Sequence, residues 1–384
     1  MSYGLPEEFR MLQDTVARFV NEELIPREPL ILEREMRGEY PRLTQEEEAP
    51  LLEKCKALGL WGLDAPKEFG GADLPALALM AVNEELWRSA VMFVLPPDSP
   101  NLHMLMAAAS PEQRSKYVEP YARGERRCSM AISEPGAGGD PSGMTTRAEQ
   151  VADGWVLNGR KIWISFAIDS DFFIVMARVG KGKGREGITA FLVDKGTPGF
   201  ALEREIPMAG GQHTWELSFN DVHLPADAVL GEVGEGFAPM QLRLTVRRLQ
   251  ICAWAIGLAR RGLDMLIEHA KQRVTFGAPL ADRQTVQWWI VDAATKIHAS
   301  RLMVHDSAAR LDDGEDVRTA ASMAKVYATE MVNEVMDHTV QAYGAMAMTK
   351  EMPLQLMAAK ARVMRIYEGP SEVHRMALAR RMLR

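Results

Sequence analysis

Roughly thirty-residue apolar patterns recur three times in the last two fifths of this chain, at Phe237 to Ala270, Arg283 to Leu311 and Val317 to Gly344, each with helical spacing. Helices that long bury their apolar stripes against one another, so the spacing predicts a bundle that keeps one face for neighbouring subunits. Two further helical patterns follow, Leu354 to Val363 and then Val373, Met376, Leu378 and Met382. Between them lies Arg365 to Arg375, with Glu368 at the break. Gly369 accepts backbone dihedrals that other residues resist, and Pro370 disfavours helix at the residue before it while suiting the first turn of the next helix. The carboxylate of Glu368 is therefore carried on fixed backbone.

A chain of 384 residues implies two or three domains sharing interfaces, and nearly half of it is apolar, enough for a large core. Upstream, Phe9, Leu12, Val16, Phe19 and Val20 keep helical spacing up to a kink or end at Pro26. Thr44 and Glu47 have capping-box spacing, with Pro50 leaving the start of that helix open. Leu60 to Gly71 forms a turn, and helical patterns run over Leu74 to Arg88, Leu102 to Ala109 and onward from Ser110 and Pro111. The composition shifts near Gly124 and again near Gly236. We therefore expect an α+β multidomain protein: an all-α domain over 1–124, a β-sheet or barrel domain over 125–235 and a helical-bundle domain over 236–384.

In the middle region, Trp155 to Leu157, Asn158-Gly159 and Lys161 to Ser165 predict a hairpin with a type I′ turn. Period two then places Lys161, Trp163 and Ser165 on one strand face. Strands continue at Phe172 to Val179, Ile188 to Val193 and Leu217 to Val222. Gly182, Gly184 and Gly187 match G-x-G-x-x-G, yet a strand rather than a helix follows, so with Lys181, Lys183 and Arg185 they read as a hairpin loop and not a dinucleotide cradle.

The net charge of −7, without a basic run, argues against nucleic acid and against a membrane surface. Cys55, Cys128 and Cys252 lack paired spacing and read as core thiols in a reducing compartment. The eight histidines include no i, i+4 pair, so no metal is expected, and His213 and His223 read as surface loop residues. Met1 to Arg10 has no apolar signal core and no window reaches the ~18 uninterrupted apolar residues of a membrane span, which gives a cytoplasmic expectation.

Ile366 to Arg375 resembles the I-Y-E-G-T-S-E-x-x-R signature of the FAD-dependent acyl-CoA dehydrogenases. Ala131 to Asp140 resembles that family's S/T-E-P-x-A-G-S-D, and Trp163-Ile164-Ser165 its W-I-S/T. Arg273, Phe276, Gly277 and Gln284, with Gln341, Tyr343 and Gly344, complete the resemblance, whose order fits from Trp61 to the last residue. It implies a four-helix bundle for the C-terminal domain, FAD as cofactor, an acyl-CoA substrate, a place in fatty acid metabolism, an electron-transfer flavoprotein as acceptor, and a homo-oligomer, dimer or tetramer.

The resemblance also implies roles. Glu368 is the base that takes the α-proton of the thioester while the β-hydrogen leaves as hydride, giving a trans-2-enoyl-CoA. A free Glu of pKa about 4.3 is too weak for this, so burial is expected to raise it. Met130, Ile132 and Ser133 line the flavin, Ser133 and Ser165 bond its polar edge and Trp163 covers it, with Gly138, Pro370 and Glu372 among the cofactor contacts. Arg273, Phe276, Gln284, Gln341 and Gly344 come from a neighbouring subunit to hold pyrophosphate and adenosine, Arg273 as phosphate clamp. Gly139, Arg247, Arg248, Tyr367 and Gly369 face the substrate, Arg248 on the CoA side.

Four departures stand out. Gly139 replaces a Ser, Pro370 a Thr and Ala345 the second Gly of F-G-G, and Arg247 occupies a place where relatives carry Thr, Gly or a second Glu. Arg247 should point nearer the acyl pocket, with Glu368, a polar or anionic group of the acyl chain, or solvent and a CoA phosphate as partner. A short, branched or polar acyl group is the sharper expectation. An oxidase or nitroalkane oxidase of the same fold, or a silent CoA-binding scaffold, are the alternatives, because fold does not fix function.

Overall fold

A computed structural model describes residues 5–182 and 184–383; Lys183 of the glycine loop, and Met1 to Gly4 of the opening stretch, lie outside them. The N-terminal part contains α1 (Glu7–Phe19), α2 (Glu28–Met36), α3 (Gln45–Ala57), α4 (Ala76–Leu86) and α5 (Ser99–Ala108), then the short α6 (Pro111–Gln113) and α7 (Glu119–Ala122). Pro26 falls in a single 3-10 turn, Ile25–Arg27, that separates α1 and its π-helical end from α2. The capping box forms as the spacing predicts: Glu47 N–H donates to Thr44 Oγ1 at 3.3 Å and Thr44 N–H to Glu47 Oε2 at 2.8 Å. Helix α3 therefore starts ahead of Pro50, which sits inside it.

The central part is one sheet of eight strands: β1 (Cys128–Ala131), β2 (Arg147–Val151), β3 (Gly154–Ser165), β4 (Phe172–Val179), β5 (Ile188–Asp194), β6 (Phe200–Pro207), β7 (His213–Pro225) and β8 (Val229–Leu230). The order is β6-β7-β3-β2-β4-β5-β8 with β1 alongside β4, and β6 and β8 end the path, so the sheet is open rather than a closed barrel. Phe172, Ile174 and Met176 of β4 pack under the N-terminal helices with Tyr117 and Tyr121, whereas Phe173, Val175 and Ala177 face the opposite core with Trp155 and Phe191. Cover on both faces explains why β4 reads as an unbroken apolar run.

Two sheet expectations are corrected. Asn158-Gly159 is no hairpin turn: β3 runs straight through it, and the reversal is at Ala152–Asp153, where Val151 pairs with Gly154. The dipeptide instead forms a register shift against β7, and a Cβ on Gly159 would lie 2.4 Å from Thr146 Oγ1, so only glycine fits. His213 and His223 belong to β7 rather than to loops, and His213 stacks on Tyr40 at 3.7 Å.

The C-terminal part contains α8 (Phe237–Gln272), a small hairpin of β9 (Val274–Thr275) and β10 (Ala278–Pro279), α9 (Gln284–Asp312), α10 (Arg318–Tyr343), α11 (Leu354–Met364) and α12 (Ser371–Met382). Three long helices pack together, with α11 and α12 in tandem against α10. Helix α4 joins them: a Cβ on Gly257 of α8 would sit 2.0 Å from Glu84 O, and Trp87 stacks on Trp254 at 4.5 Å. Buried Glu84 is bonded by Arg260 at 2.6 Å and by Arg301 at 2.8 and 2.9 Å. Among the described residues no helix is long and apolar enough to cross a membrane.

Candidate active site

Glu368 occupies the turn between α11 and α12 with φ of 53°, and Gly369 follows at 96°. A left-handed Glu followed by a left-handed Gly is costly backbone, kept only where the surroundings over-determine it. Here they do. Arg248 Nε donates to Glu368 O at 3.1 Å, and buried Lys325 Nζ donates to Tyr367 O at 2.9 Å and Gly369 O at 2.6 Å. His374 Nε2 stands 3.3 Å from Glu368 O. The N–H of Glu368 has no acceptor among the described residues, and neither does the buried Tyr367 hydroxyl.

The Glu368 carboxylate meets Arg243, which sequence reasoning did not single out: Arg243 Nη1 donates to Oε1 at 2.7 Å, and its Nε to Asn101 Oδ1 at 3.1 Å. Burial pushes the Glu368 carboxyl up, but the guanidinium groups of Arg243, Arg247 and Arg248 outweigh it and hold the acid below the usual carboxylate range. The expected rise is therefore corrected for this state of the protein. Three cations share the carboxylate's surroundings, and burial strengthens their pull as well as the desolvation penalty.

The partner expected of Arg247 is also corrected. Arg247, 8% exposed, pairs with Asp98 and Gln250 Oε1 and covers the Trp254 ring at 5.2 Å. None of the three partners considered from sequence was Asp98, which follows Pro96-Pro97 in a loop without periodicity. Together Arg247, Asp98 and Trp254 line a pocket with Leu79, Leu86 and Leu95. Arg248 is the residue whose side chain reaches the Glu368 backbone.

The second half of the site lies where the run after β1 meets β3. Ile162 N–H donates to Ser133 O at 2.9 Å and Ser129 Oγ to Ser165 O at 2.7 Å, bringing half-buried Met130, Ile132 and Ser133 beside Trp163 and Ser165. Strict alternation fails here. Lys161 is fully buried, bonded to Glu134 Oε1 at 2.8 Å and Ile132 O at 3.0 Å, while Trp163 is 50% exposed with φ of 63° in a second register shift. Burial brings the Lys161 ammonium down to about 8, and Glu134, despite its own burial, is held at about 2 by Lys161 and by donors from Thr145 and Thr146. This pair fixes the strand crossing so that Trp163 and Ser165 turn outward. Phe166, missed in the sequence, joins them at 45% exposed and φ of 58°.

Exposed aromatic rings on left-handed backbone beside outward Ser165, and a buried Tyr367 hydroxyl without a partner, are a fit for a flat, polar-edged cofactor such as a flavin. Gly139 links the halves: a Cβ there would stand 3.4 Å from Pro370 Cδ and 3.5 Å from Val373 Cγ2. Two of the four departures are thus neighbours. Gly138 and Glu372 are exposed.

The remaining residues gather elsewhere. Arg273, Phe276 and Gln284 surround the β9–β10 hairpin, all exposed, Phe276 at 100% with φ of 50°. Tyr343 stacks on His269 at 4.0 Å and donates to Met265 O at 3.1 Å, which sets exposed Gln341 and Gly344 at the same end of α8. From Arg248 to Arg273 the helix advances ~37 Å at 1.5 Å per residue. Among the described residues no group of three or more His, Cys, Asp or Glu has metal-ligating geometry.

Comparison with known proteins agrees along the whole chain. The N-terminal, middle and C-terminal domain models of acyl-CoA dehydrogenase match residues 6–125, 129–222 and 234–383. The chain is 41% identical to (R)-benzylsuccinyl-CoA dehydrogenase of Thauera aromatica, covering 100% of this chain and 97% of that one. It is 33% identical to the caffeyl-CoA reductase-Etf complex subunit CarC of Acetobacterium woodii, covering 98% and 99%. Butyryl-CoA dehydrogenase from Megasphaera elsdenii superposes with a TM-score of 0.90 at 30% identity, covering 100% of both chains. This chain belongs to the acyl-CoA dehydrogenase family, FAD-dependent enzymes that dehydrogenate acyl-CoA thioesters.

Proposed function

We propose that Glu368 is the base of this dehydrogenase, and that the observation carrying the assignment is its fixed left-handed turn, clamped by Arg248, Lys325 and His374. A base held by backbone keeps its carboxylate aimed at one carbon. Glu368 takes the α-proton, and its free N–H is a donor for the thioester oxygen, where charge develops as that proton leaves. FAD, when bound, supplies the acceptor for the β-hydrogen, which leaves as hydride to yield a trans-2-enoyl-CoA. Met130, Ile132, Ser133, Trp163 and Ser165 hold the flavin ring, with Gly138, Pro370 and Glu372 as further contacts; Gly139, Arg247, Tyr367 and Gly369 shape the substrate side.

Arg273, Phe276, Gln284, Gln341 and Gly344 serve the cofactor of a second copy. The separation along α8 supports this, and so do an apolar face of Trp288 and Val291 on α9, each more than half exposed, and the fully exposed Phe276. The protein is read as a cytoplasmic homo-oligomer, a tetramer by the bundle's exposed faces, that passes electrons to an electron-transfer flavoprotein, as the name of the Acetobacterium complex subunit supports. The acyl group is short and polar or branched, a reading supported by the benzylsuccinyl-CoA dehydrogenase likeness and by buried cations near Glu368. Anaerobic mixing of the yellow protein with a panel of acyl-CoAs tests the assignment: a substrate bleaches the flavin, and a protein that no thioester bleaches is a scaffold.

A further inference from the structure

Arg243 is 7% exposed, and its carboxylate partner is Glu368 at 2.7 Å; its other contact, Asn101 Oδ1, is neutral. The other cations nearby are already employed, Arg247 by Asp98 and Gln250, Arg248 by the Glu368 carbonyl. Taking the α-proton neutralises the Glu368 carboxylate, whichever of its oxygens acts, and so leaves Arg243 without its anion. Stranding one member of a buried ion pair is strongly unfavourable, and a plain alkyl chain offers nothing in exchange. An anion brought in by the substrate does.

Resting on the assignment of Glu368 as base, we propose that this enzyme acts on acyl-CoA thioesters whose acyl group carries a free carboxylate, which takes the place of Glu368 on Arg243. One carboxylate replaces another, so the guanidinium stays paired while the base is released. Geometry limits where that group sits. Arg243 Nη1 is 2.7 Å from Glu368 Oε1 and a base works at hydrogen-bond reach of its proton, so the carboxylate lies within two or three bonds of the α-carbon. A succinyl or similarly short dicarboxylic skeleton, bare or substituted, has that spacing. A carboxylate at the end of a long chain does not.

The test compares three thioesters on the holoenzyme under anaerobic conditions: a 2-substituted succinyl-CoA, the same molecule with its free carboxylate as the methyl ester, and butyryl-CoA. The carboxylate form should bleach the flavin with kcat/KM at least ~10²-fold above the ester, because a site built to pair a polar group strongly rejects the analogue lacking it. Arg243→Gln should bring the two within a few-fold, mainly by loss on the carboxylate form, and Arg243→Lys should restore part of the difference. Calorimetry on Glu368→Gln adds a measurement free of turnover: the succinyl-type thioester should bind at least ~10-fold more tightly than its ester. Equal kcat/KM for acid and ester in the wild type overturns the proposal and leaves the dehydrogenase assignment standing. Absence of bleaching with every thioester overturns both. The wild-type ratio decides even where Arg243→Gln fails to fold.

Discussion

Lys325 Nζ lies 2.6 Å from Gly369 O, so an ammonium carried on α10 anchors the residue directly after Glu368. The same group reaches Tyr367 O on the other side of Glu368, and the pair of bonds spans the left-handed turn. Lys325→Met removes both and leaves two carbonyls short of a donor, each worth about 1–3 kcal/mol when buried. We expect kcat to fall at least ~10-fold with bound FAD per subunit unchanged, read by steady-state kinetics beside flavin absorbance. Wild-type kcat would mean that Arg248 and His374 hold the turn unaided.

Glu368→Gln preserves size and removes the base. The variant should stay yellow and folded while flavin reduction by substrate drops by at least ~10²–10⁴-fold, the range of a positioned acid or base. Stopped-flow bleaching near the wild-type rate would move the base elsewhere.

Ionisation of Glu368 is favoured by Arg243, so its acid form appears only below the usual carboxylate range. The sign follows from linkage. With the folded value depressed, the ion pair stabilises the protein above the unfolded value of about 4.3, and that stability is lost as pH falls through the folded value. For the free enzyme, kcat/KM with a neutral short-chain thioester should show no acidic limb until below roughly pH 4.3. Arg243→Gln lets burial assert itself, and the limb should move to higher pH. An unmoved limb would assign it to another group.

Phe276 is fully exposed on left-handed backbone at the tip of a hairpin, where Arg283 bonds the carbonyls of Thr275 and Phe276 while the ring itself stays uncovered. Phe276→Asp should lower the temperature at which FAD is released and weaken self-association, with far-ultraviolet dichroism of the protein unchanged. Sedimentation and flavin fluorescence report the two effects. FAD retention and assembly identical to wild type would leave this tip outside any shared cofactor site.

Periodicity made the long helices legible, and Gly369-Pro370 after Glu368 made the turn legible, because both signals are local. What the sequence hid is non-local. Arg243 and Lys325 stand in helices α8 and α10, where an inward Arg or Lys looks the same in sequence as a solvated one until its partner is known. Asn158-Gly159 suits either a type I′ turn or a bulge, and the choice rests on Thr146, just ahead of β2, approaching Gly159. The direction of the Glu368 shift was misjudged for the same reason, since a motif shows that a carboxylate is enclosed but not which charges are enclosed with it.

Helices α1, α3 and α4 share a single hydrophobic core with α8 to α11: Val16, Phe19, Leu51, Leu79 and Leu86 pack in one cluster with Leu249, Ile256, Val332 and Leu356. During synthesis the first of these groups leaves the ribosome long before the second exists. About 150 residues, the sheet among them, must be made in between, at ~5–20 residues per second. The early helices therefore wait for many seconds with their apolar stripes uncovered, while the sheet can already close its own second core of Trp155, Phe173 and Phe191. Such a chain makes a demanding client for folding assistance, and a version truncated within α8 would be expected to leave its N-terminal helices aggregating rather than standing alone.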